Sequence, residues 1–188
     1  MKELFLTLFF NKLWHLAKEN LMNQKLESAP SLADLSDHHG DRLRVAQPLL
    51  RSYGGLKAFR GEVSTLSIFE DNTLVRRTLE SQGNGRVLVV EGGGSLRCAL
   101  LGDMLAQLGI DSGWSGVIIH GYIRDSKAIS KMPLGVMALA TNPVRSSKQD
   151  RGESNIELAF AGIAIRPGDW LYADEDGFAV SGSRLEEI

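Results

Sequence analysis

The sequence predicts an α/β domain with mixed sheets and short helices, and three observations carry that expectation. Arg86-Val-Leu-Val-Val90 and Gly116-Val-Ile-Ile119 are continuous apolar runs that each break near glycine, the pattern of strands buried on both faces. A segment with helical spacing lies between them, so they read as parallel neighbours joined by a crossover, with their carboxyl ends on one edge of a sheet. From Ala128 onward the pattern turns to β, with turn residues punctuating short runs. The 188 residues and 43% apolar content support a single domain, whose core would bury roughly 70% of the unfolded surface.

The chain starts with Leu4-Phe-Leu-Thr-Leu-Phe-Phe10 behind Lys2, far short of the roughly 20 apolar residues that span a bilayer. No small-residue cleavage site follows it. Leu4, Phe5, Leu8, Phe9, Leu13, Leu16 and Ala17 fall near helical spacing, so residues 1–21 read as a helical extension ahead of a domain at residues 22–188. Met22 offers an alternative translation start. After the polar link Asn23 to Pro30, Ser31 is the expected N-cap of a helix through Asp37, with Asp34 in its first turn facing the helix dipole. His38-His39-Gly40-Asp41 reads as a turn. Leu49 to Ile68 is strand-rich, broken at Tyr53-Gly54-Gly55 and alternating well from Phe59 onward. Asp71 caps a helix through Gln82 that buries Leu74, Val75 and Leu79 and stops at Gly83-Asn84-Gly85.

Beyond the first buried strand, Leu96 to Leu108 reads as a helical run interrupted at Gly102-Asp103, and the second buried strand breaks at Gly121. Val136 to Ala140 is a further strand, Asn142 to Asn155 a polar loop, and Ile156 to Ile165 a strand pair interrupted by Gly162. Arg166-Pro-Gly-Asp169 has tight-turn chemistry, and strands at Trp170 to Tyr172 and Phe178 to Val180 flank a turn at Asp174 to Gly177.

Formal net charge is −2 and the sequence has no basic tract, so the electrostatic footprint of a nucleic-acid binder is missing. Direct binding to DNA or RNA is not expected, and neither is a membrane span. Cys98 is the only cysteine, which excludes an internal disulfide and a Cys-based zinc site and suits a reducing cytoplasm. His15 lies in the extension, His38 and His39 are neighbours, and His120 ends a strand without an evident partner, so no His pair has zinc spacing. There is no Gly-x-Ser-x-Gly elbow, and Cys98 in its Leu-rich segment reads as packed.

Three spots between Gly92 and Asp125 could carry chemistry. Gly92-Gly-Gly-Ser95 after a strand invites a phosphate-loop reading, but it lacks the Lys-Ser/Thr of a Walker loop and the dinucleotide spacing; a tight strand turn is the plainer reading. Gly102 inside a helical run costs about 1 kcal/mol relative to alanine, so the helix is expected to end and restart there. The N–H groups of residues 103–105 would then converge on a small carboxylate, or Asp103 would simply cap the new segment. Arg124-Asp125 after a buried strand pairs a guanidinium fork for an oxyanion with a carboxylate oxygen for a hard cation; a surface ion pair is the alternative.

The ordered motifs Glu91-Gly-Gly-Gly-Ser-Leu-Arg-Cys-Ala-Leu-Leu-Gly-Asp103, Trp114-Ser-Gly-Val-Ile-Ile-His-Gly-Tyr-Ile-Arg-Asp125 and Pro167-Gly-Asp-Trp-Leu-Tyr-Ala-Asp-Glu-Asp-Gly177 resemble the RraA-like family. That family holds the regulator of ribonuclease E activity and the metal-dependent 4-hydroxy-4-methyl-2-oxoglutarate aldolases. The likeness runs from about residue 28 to residue 182 and includes Ser31-Leu-Ala-Asp-Leu-Ser-Asp37. It implies a swivelling β/β/α, phosphohistidine-domain-like fold, a homotrimer with sites near subunit boundaries, and a class II aldolase mechanism. By position, Asp125 would bind Mg²⁺ or Mn²⁺, and Arg124 would receive the pyruvyl end of a 2-oxo acid. The substrate carboxylate would lie on the backbone of Gly102, Asp103, Met104 and Leu105, and Asp103 would orient the water that moves the proton. Oxaloacetate decarboxylation passes through the same enolate and is implied as well. The aldolases carry an acidic residue three positions beyond the metal aspartate, where this chain has Ala128; an acid such as Asp34 or Asp37 from a neighbouring subunit is one substitute. The other activity implied is a non-enzymatic regulator that binds ribonuclease E or an associated helicase.

Overall fold

The computed structural model describes residues 31–185; the extension expected over residues 1–21 lies outside them. In chain order, α1 (Leu32–His39) leads through a 3-10 turn (Gly40–Arg42) to β1 (Arg44–Val45), β2 (Arg51–Ser52) and β3 (Phe59–Ser67). Next come α2 (Thr73–Glu80), β4 (Val87–Glu91), β5 (Ala99–Leu101), α3 (Asp103–Asp111), β6 (Gly116–Ile123) and α4 (Ser126–Ile129). The chain ends with β7 (Gly135–Thr141), β8 (Glu153–Ser154), β9 (Leu158–Phe160), β10 (Ile163–Ile165), β11 (Trp170–Asp174) and β12 (Gly177–Ser181).

Strand β3 belongs to two layers. Its first half, Phe59 to Glu62, pairs antiparallel with β11, while Val63 to Ser67 pair parallel with β4. β4, β6 and β7 continue the parallel layer, with β2 antiparallel at its far edge, and β12 and β1 continue the other. Side-chain alternation then divides the core. Val87, Val89 and Ile118 meet Phe59, Leu171 and Phe178 between the sheets, whereas Leu88, Val90, Val117 and Ile119 meet Leu74, Leu79 and Leu105 from the helices. The result is the expected β/β/α layering. α1 packs its Leu32 and Leu35 against Tyr172 and Ala179 on the outside of the second sheet.

Local chemistry explains the element boundaries. The Asp34 amide donates to Ser31 Oγ at 3.1 Å and the Ser31 amide to Asp34 Oδ2 at 3.2 Å, a reciprocal cap at the expected place. α1 then runs on through His39 rather than stopping at Asp37, and the expected turn is the 3-10 turn that follows it. The polar loop after β7 holds the short strand β8, which pairs with β3.

Two expectations near the centre are corrected. Leu96 to Leu108 is not one interrupted helix: Ala99 and Leu101 pair in parallel with Tyr122 and Ile123, so β5 is a strand and helix begins only at Asp103. Ala99, Leu100 and Leu101 are all buried, and strand pairing beside β6 covers both faces of that apolar triplet in a way a solvent-facing helix cannot. Nor does β6 break at Gly121. Its register with β7 slips between Ile119 and Tyr122, and the strand continues to Ile123.

Candidate active site

The extra residues of β6 carry Arg124 and Asp125 to the carboxyl edge of the parallel layer. The Arg124 amide donates to Leu101 O at 2.9 Å, which ties the end of β6 to the end of β5. Asp125 then takes a left-handed conformation, φ 56°, which aspartate tolerates better than most residues, and the chain turns into α4. Its carbonyl accepts from the Ala128 and Ile129 amides at 2.9 and 3.1 Å. On the adjoining strand, β5 ends one residue before Gly102, the N-cap of α3.

These turns bring Asp103, Arg124 and Asp125 into one open crevice of about 940 Å³, twenty-odd residues of sequence notwithstanding. Arg124 Nε lies 3.2 Å from Asp125 Oδ2, and the Asp103 amide points at the same oxygen from 3.5 Å. Both side chains keep partial access to solvent. Gly102 makes this approach possible: a Cβ there would stand 2.8 Å from Asp125 Oδ2 and 3.1 Å from Arg124 Nε. Its backbone is extended, φ −135°, so close packing and not dihedral freedom requires the glycine.

The first turn of α3 is occupied from within. The Met104 amide donates to Asp103 Oδ1 at 2.7 Å, and the Leu105 amide to Gly102 O at 3.1 Å. Gly102, not Asp103, holds the N-cap position; Asp103 is the first residue of the helix, its carboxylate takes the Met104 amide, and a ligand carboxylate can reach that amide only by displacing the Asp103 side chain. Lys127, Ala128, Lys131, Thr141 and Asn142 complete the crevice walls. The two lysines could have been found from their closeness to Asp125 in sequence. Thr141 and Asn142 could not, since only the pairing of β7 with β6 brings them there.

A hard divalent cation fits this donor set in its water-rich form. Among the described residues no group of three or more His, Cys, Asp or Glu side chains gathers, and the crevice offers the two carboxylates Asp103 and Asp125. Mg²⁺ is commonly held by one or two carboxylates, with waters and substrate oxygens filling the rest of its octahedron. Ala128 lines the crevice three residues past Asp125 and presents a methyl group there.

Elsewhere on the same edge, His120 does have a partner. Because β4 and β6 are neighbours in register, Glu91 stands opposite His120, and His120 Nδ1 donates to Glu91 Oε2 at 2.7 Å. The imidazole also stacks on Phe160, ring centroids 4.8 Å apart. The Gly92-Gly-Gly-Ser95 turn spends its amides internally: Gly92 and Gly94 donate to His120 O, and Gly93 to Glu91 Oε1 at 2.6 Å. No amide of those three glycines is left for a phosphate, so the tight-turn reading stands. Cys98 is packed as expected, and burial pushes its thiol pKa up, away from nucleophilic use. No helix among the described residues is long and apolar enough to cross a membrane.

Comparison with known proteins widens the frame. A curated relative from Aromatoleum aromaticum, named "Putative 4-hydroxy-4-methyl-2-oxoglutarate aldolase", is 54% identical over 153 residues, covering 81% of this chain and 96% of the relative. A solved structure from Geobacillus kaustophilus, described as an S-adenosylmethionine:2-dimethylmenaquinone methyltransferase, superposes with a TM-score of 0.82 at 49% identity, covering 83% of this chain and 97% of its own. The RNA-processing inhibitor RraA from Thermus thermophilus superposes with a TM-score of 0.81 at 42% identity, covering 85% and 96%. These names describe three different activities, so similarity does not by itself choose the chemistry. A family model described as RraA-like, Aldolase/RraA, matches residues 29–180, a span that contains all three layers and the crevice, and the chain belongs to that family.

Proposed function

We propose that the chain is a divalent-metal-dependent lyase that cleaves 4-hydroxy-4-methyl-2-oxoglutarate-type substrates to pyruvate and decarboxylates oxaloacetate. One observation carries the reading: the Arg124 guanidinium and the Asp125 carboxylate stand 3.2 Å apart in an open crevice beside the first turn of α3. The aldolase names of similar chains support the same reaction.

Asp125 would hold Mg²⁺ or Mn²⁺, with waters and substrate oxygens completing the shell. The bound cation supplies a Lewis acid at the 2-oxo oxygen, where negative charge develops. Arg124 would offer the N–H groups of its fork to that oxygen or to the neighbouring carboxylate and stabilise the same charge. The Gly102 to Leu105 turn receives the substrate carboxylate once Asp103 swings off the Met104 amide. Asp103, freed, orients the water that takes the 4-hydroxyl proton. The C3–C4 bond then breaks, its electron pair moves into the enolate of pyruvate, and a proton returns to C3. With oxaloacetate the same bond breaks, carbon dioxide leaves, and the same enolate is protonated.

The experiment is pyruvate release from oxaloacetate, with Mg²⁺ and with chelator, for wild type and Asp125→Ala. Metal-dependent release above the free-metal background, abolished in a variant that still folds, is the expected result. Wild-type turnover in Asp125→Ala would remove Asp125 from the mechanism.

A second reading, a protein that binds ribonuclease E or an associated helicase, draws on the RraA neighbour and on exposed apolar side chains. Phe69, Leu96, Met104 and Val144 all stay exposed on this side of the fold, a surface suited to a protein partner or to other copies of the chain in a homotrimer. Ribonuclease inhibition that survives Asp125→Ala supports that second role, and the two roles are compatible. A reducing cytoplasm suits both.

A further inference from the structure

The crevice has an unbalanced lining. Three cationic side chains, Arg124, Lys127 and Lys131, face two carboxylates, Asp103 and Asp125. Both carboxylates are already engaged: Asp103 Oδ1 accepts from the Met104 amide at 2.7 Å, and Asp125 Oδ2 lies 3.2 Å from Arg124 Nε. The two lysines have no such partner. Among the described residues neither forms an ion pair.

Backbone geometry puts both lysines on this wall. The Ser130 amide donates to Ser126 O at 2.9 Å and the Lys131 amide to Ala128 O at 3.1 Å, so the chain winds on past α4. Lys127 and Lys131 stand four residues apart on that winding, the spacing at which like charges on a helix repel each other. Ala128 lines the crevice between them and carries no charge. Unpaired like charges around an open cleft draw in anions and oppose free cations. Toward a hydrated dication arriving alone, the crevice therefore offers excess positive charge and carboxylates that are already engaged.

Resting on the lyase reading above, we infer that Lys127 and Lys131 make the 2-oxo acid the leading ligand of this crevice: the anion binds first, or arrives as a chelate with its cation, and the cation alone is held weakly. A monoanion such as pyruvate cancels the excess charge of the lining, and the crevice, now neutral, no longer opposes a dication. The oxygens of the bound acid also supply, with Asp125, the shell that this chain's own side chains leave short. The order of binding is thus set by two lysines outside the Arg124–Asp125 pair.

The test measures two binding constants, without turnover, for wild type and for the double variant Lys127→Gln, Lys131→Gln. One is for Mn²⁺ alone, from the paramagnetic resonance of the free ion; the other is for pyruvate in the presence of chelator, by calorimetry. Both lysines are exposed, so each interacts weakly with a single charge, and removing the two should weaken pyruvate binding by about 2- to 5-fold. The dication carries twice the charge with the opposite sign, so its affinity should rise by about the square of that factor, 4- to 25-fold. Damage to the fold cannot move the two constants in opposite directions. In wild type, saturating pyruvate should tighten Mn²⁺ binding by about 10-fold or more, and by reciprocity Mn²⁺ should tighten pyruvate binding by the same factor. Constants that both stay within about 1.5-fold in the double variant, or that move together, overturn the inference and leave the lyase reading standing. So does wild type that binds Mn²⁺ equally well with and without pyruvate. Mn²⁺ retained by Asp125→Ala, or bound by wild type in neither condition, overturns both.

Discussion

Replacing Gly102 with alanine should separate activity from stability, because the glycine is there for space. A Cβ would stand 2.8 Å from Asp125 Oδ2, 3.1 Å from Arg124 Nε and 3.3 Å from Arg124 Cγ. Ordinary contact begins near 3.4 Å, so the carboxylate must retreat by roughly 0.6 Å and the guanidinium by roughly half as much. Both are ends of side chains in an open crevice, which can move without disturbing the core. The backbone conformation suits alanine. Loss of a glycine N-cap costs about 0.5–1 kcal/mol, and the stiffer unfolded chain returns about 0.4–1 kcal/mol, so net stability should change by less than about 1 kcal/mol. For a chain of this size that is a shift in Tm of no more than about 4 °C. Catalytic groups are less forgiving. A misplacement of about 1 Å can cost 10²-fold, so kcat/KM for pyruvate release should fall by about 10- to 100-fold. Thermal unfolding and steady-state kinetics on the same preparation test both halves. A variant within twofold of wild-type kcat/KM refutes the claim that the Arg124–Asp125 approach serves the reaction. A drop of more than 10 °C refutes the claim that only mobile side chain ends must yield.

Two further outcomes follow from the geometry around this site. Arg124→Lys keeps the charge and loses the planar fork, so kcat should fall by about 10- to 100-fold with the fold intact; equal rates for the two proteins would sink the bidentate arrangement. Asp71 ties the loop that carries Arg145 to the start of α2. Burial pushes its carboxyl pKa up, but hydrogen bonds from the Thr73 and Gln149 amides and the Ser147 hydroxyl outweigh burial and hold it below the ordinary value. A lowered folded pKa means stability that is present above the unfolded carboxylate value, about 3.9, and lost as pH falls through the folded value. Asp71→Asn should therefore cost about 1–3 kcal/mol at neutral pH, with the gap to wild type closing below about pH 4. Urea denaturation of both proteins between pH 2 and pH 7 measures it, and a gap independent of pH would show that the charge contributes nothing.

Most strand positions, the cap of the first helix and the polar residues that meet in the crevice were legible in the sequence because each depends on neighbours in the chain. The runs at Val87 and Gly116 read as buried strands whatever lies beside them, and Ser31 finds its Asp34 partner within one turn. Arg124-Asp125 after an apolar run marks a polar pair at a strand end, and Asp103 behind Gly102 marks a helix start. That much needs no tertiary structure. Only the folded chain decided the rest. Ala99 to Leu101 became a strand because β6 offered an open edge, a fact about a segment more than fifteen residues away. His120 acquired Glu91 because two parallel strands stand in register, and the crevice acquired Asn142 because β7 ends beside β6. Local sequence sets which conformations are cheap and which chemistry is on hand; which groups face one another is set by burial of the apolar faces of distant elements.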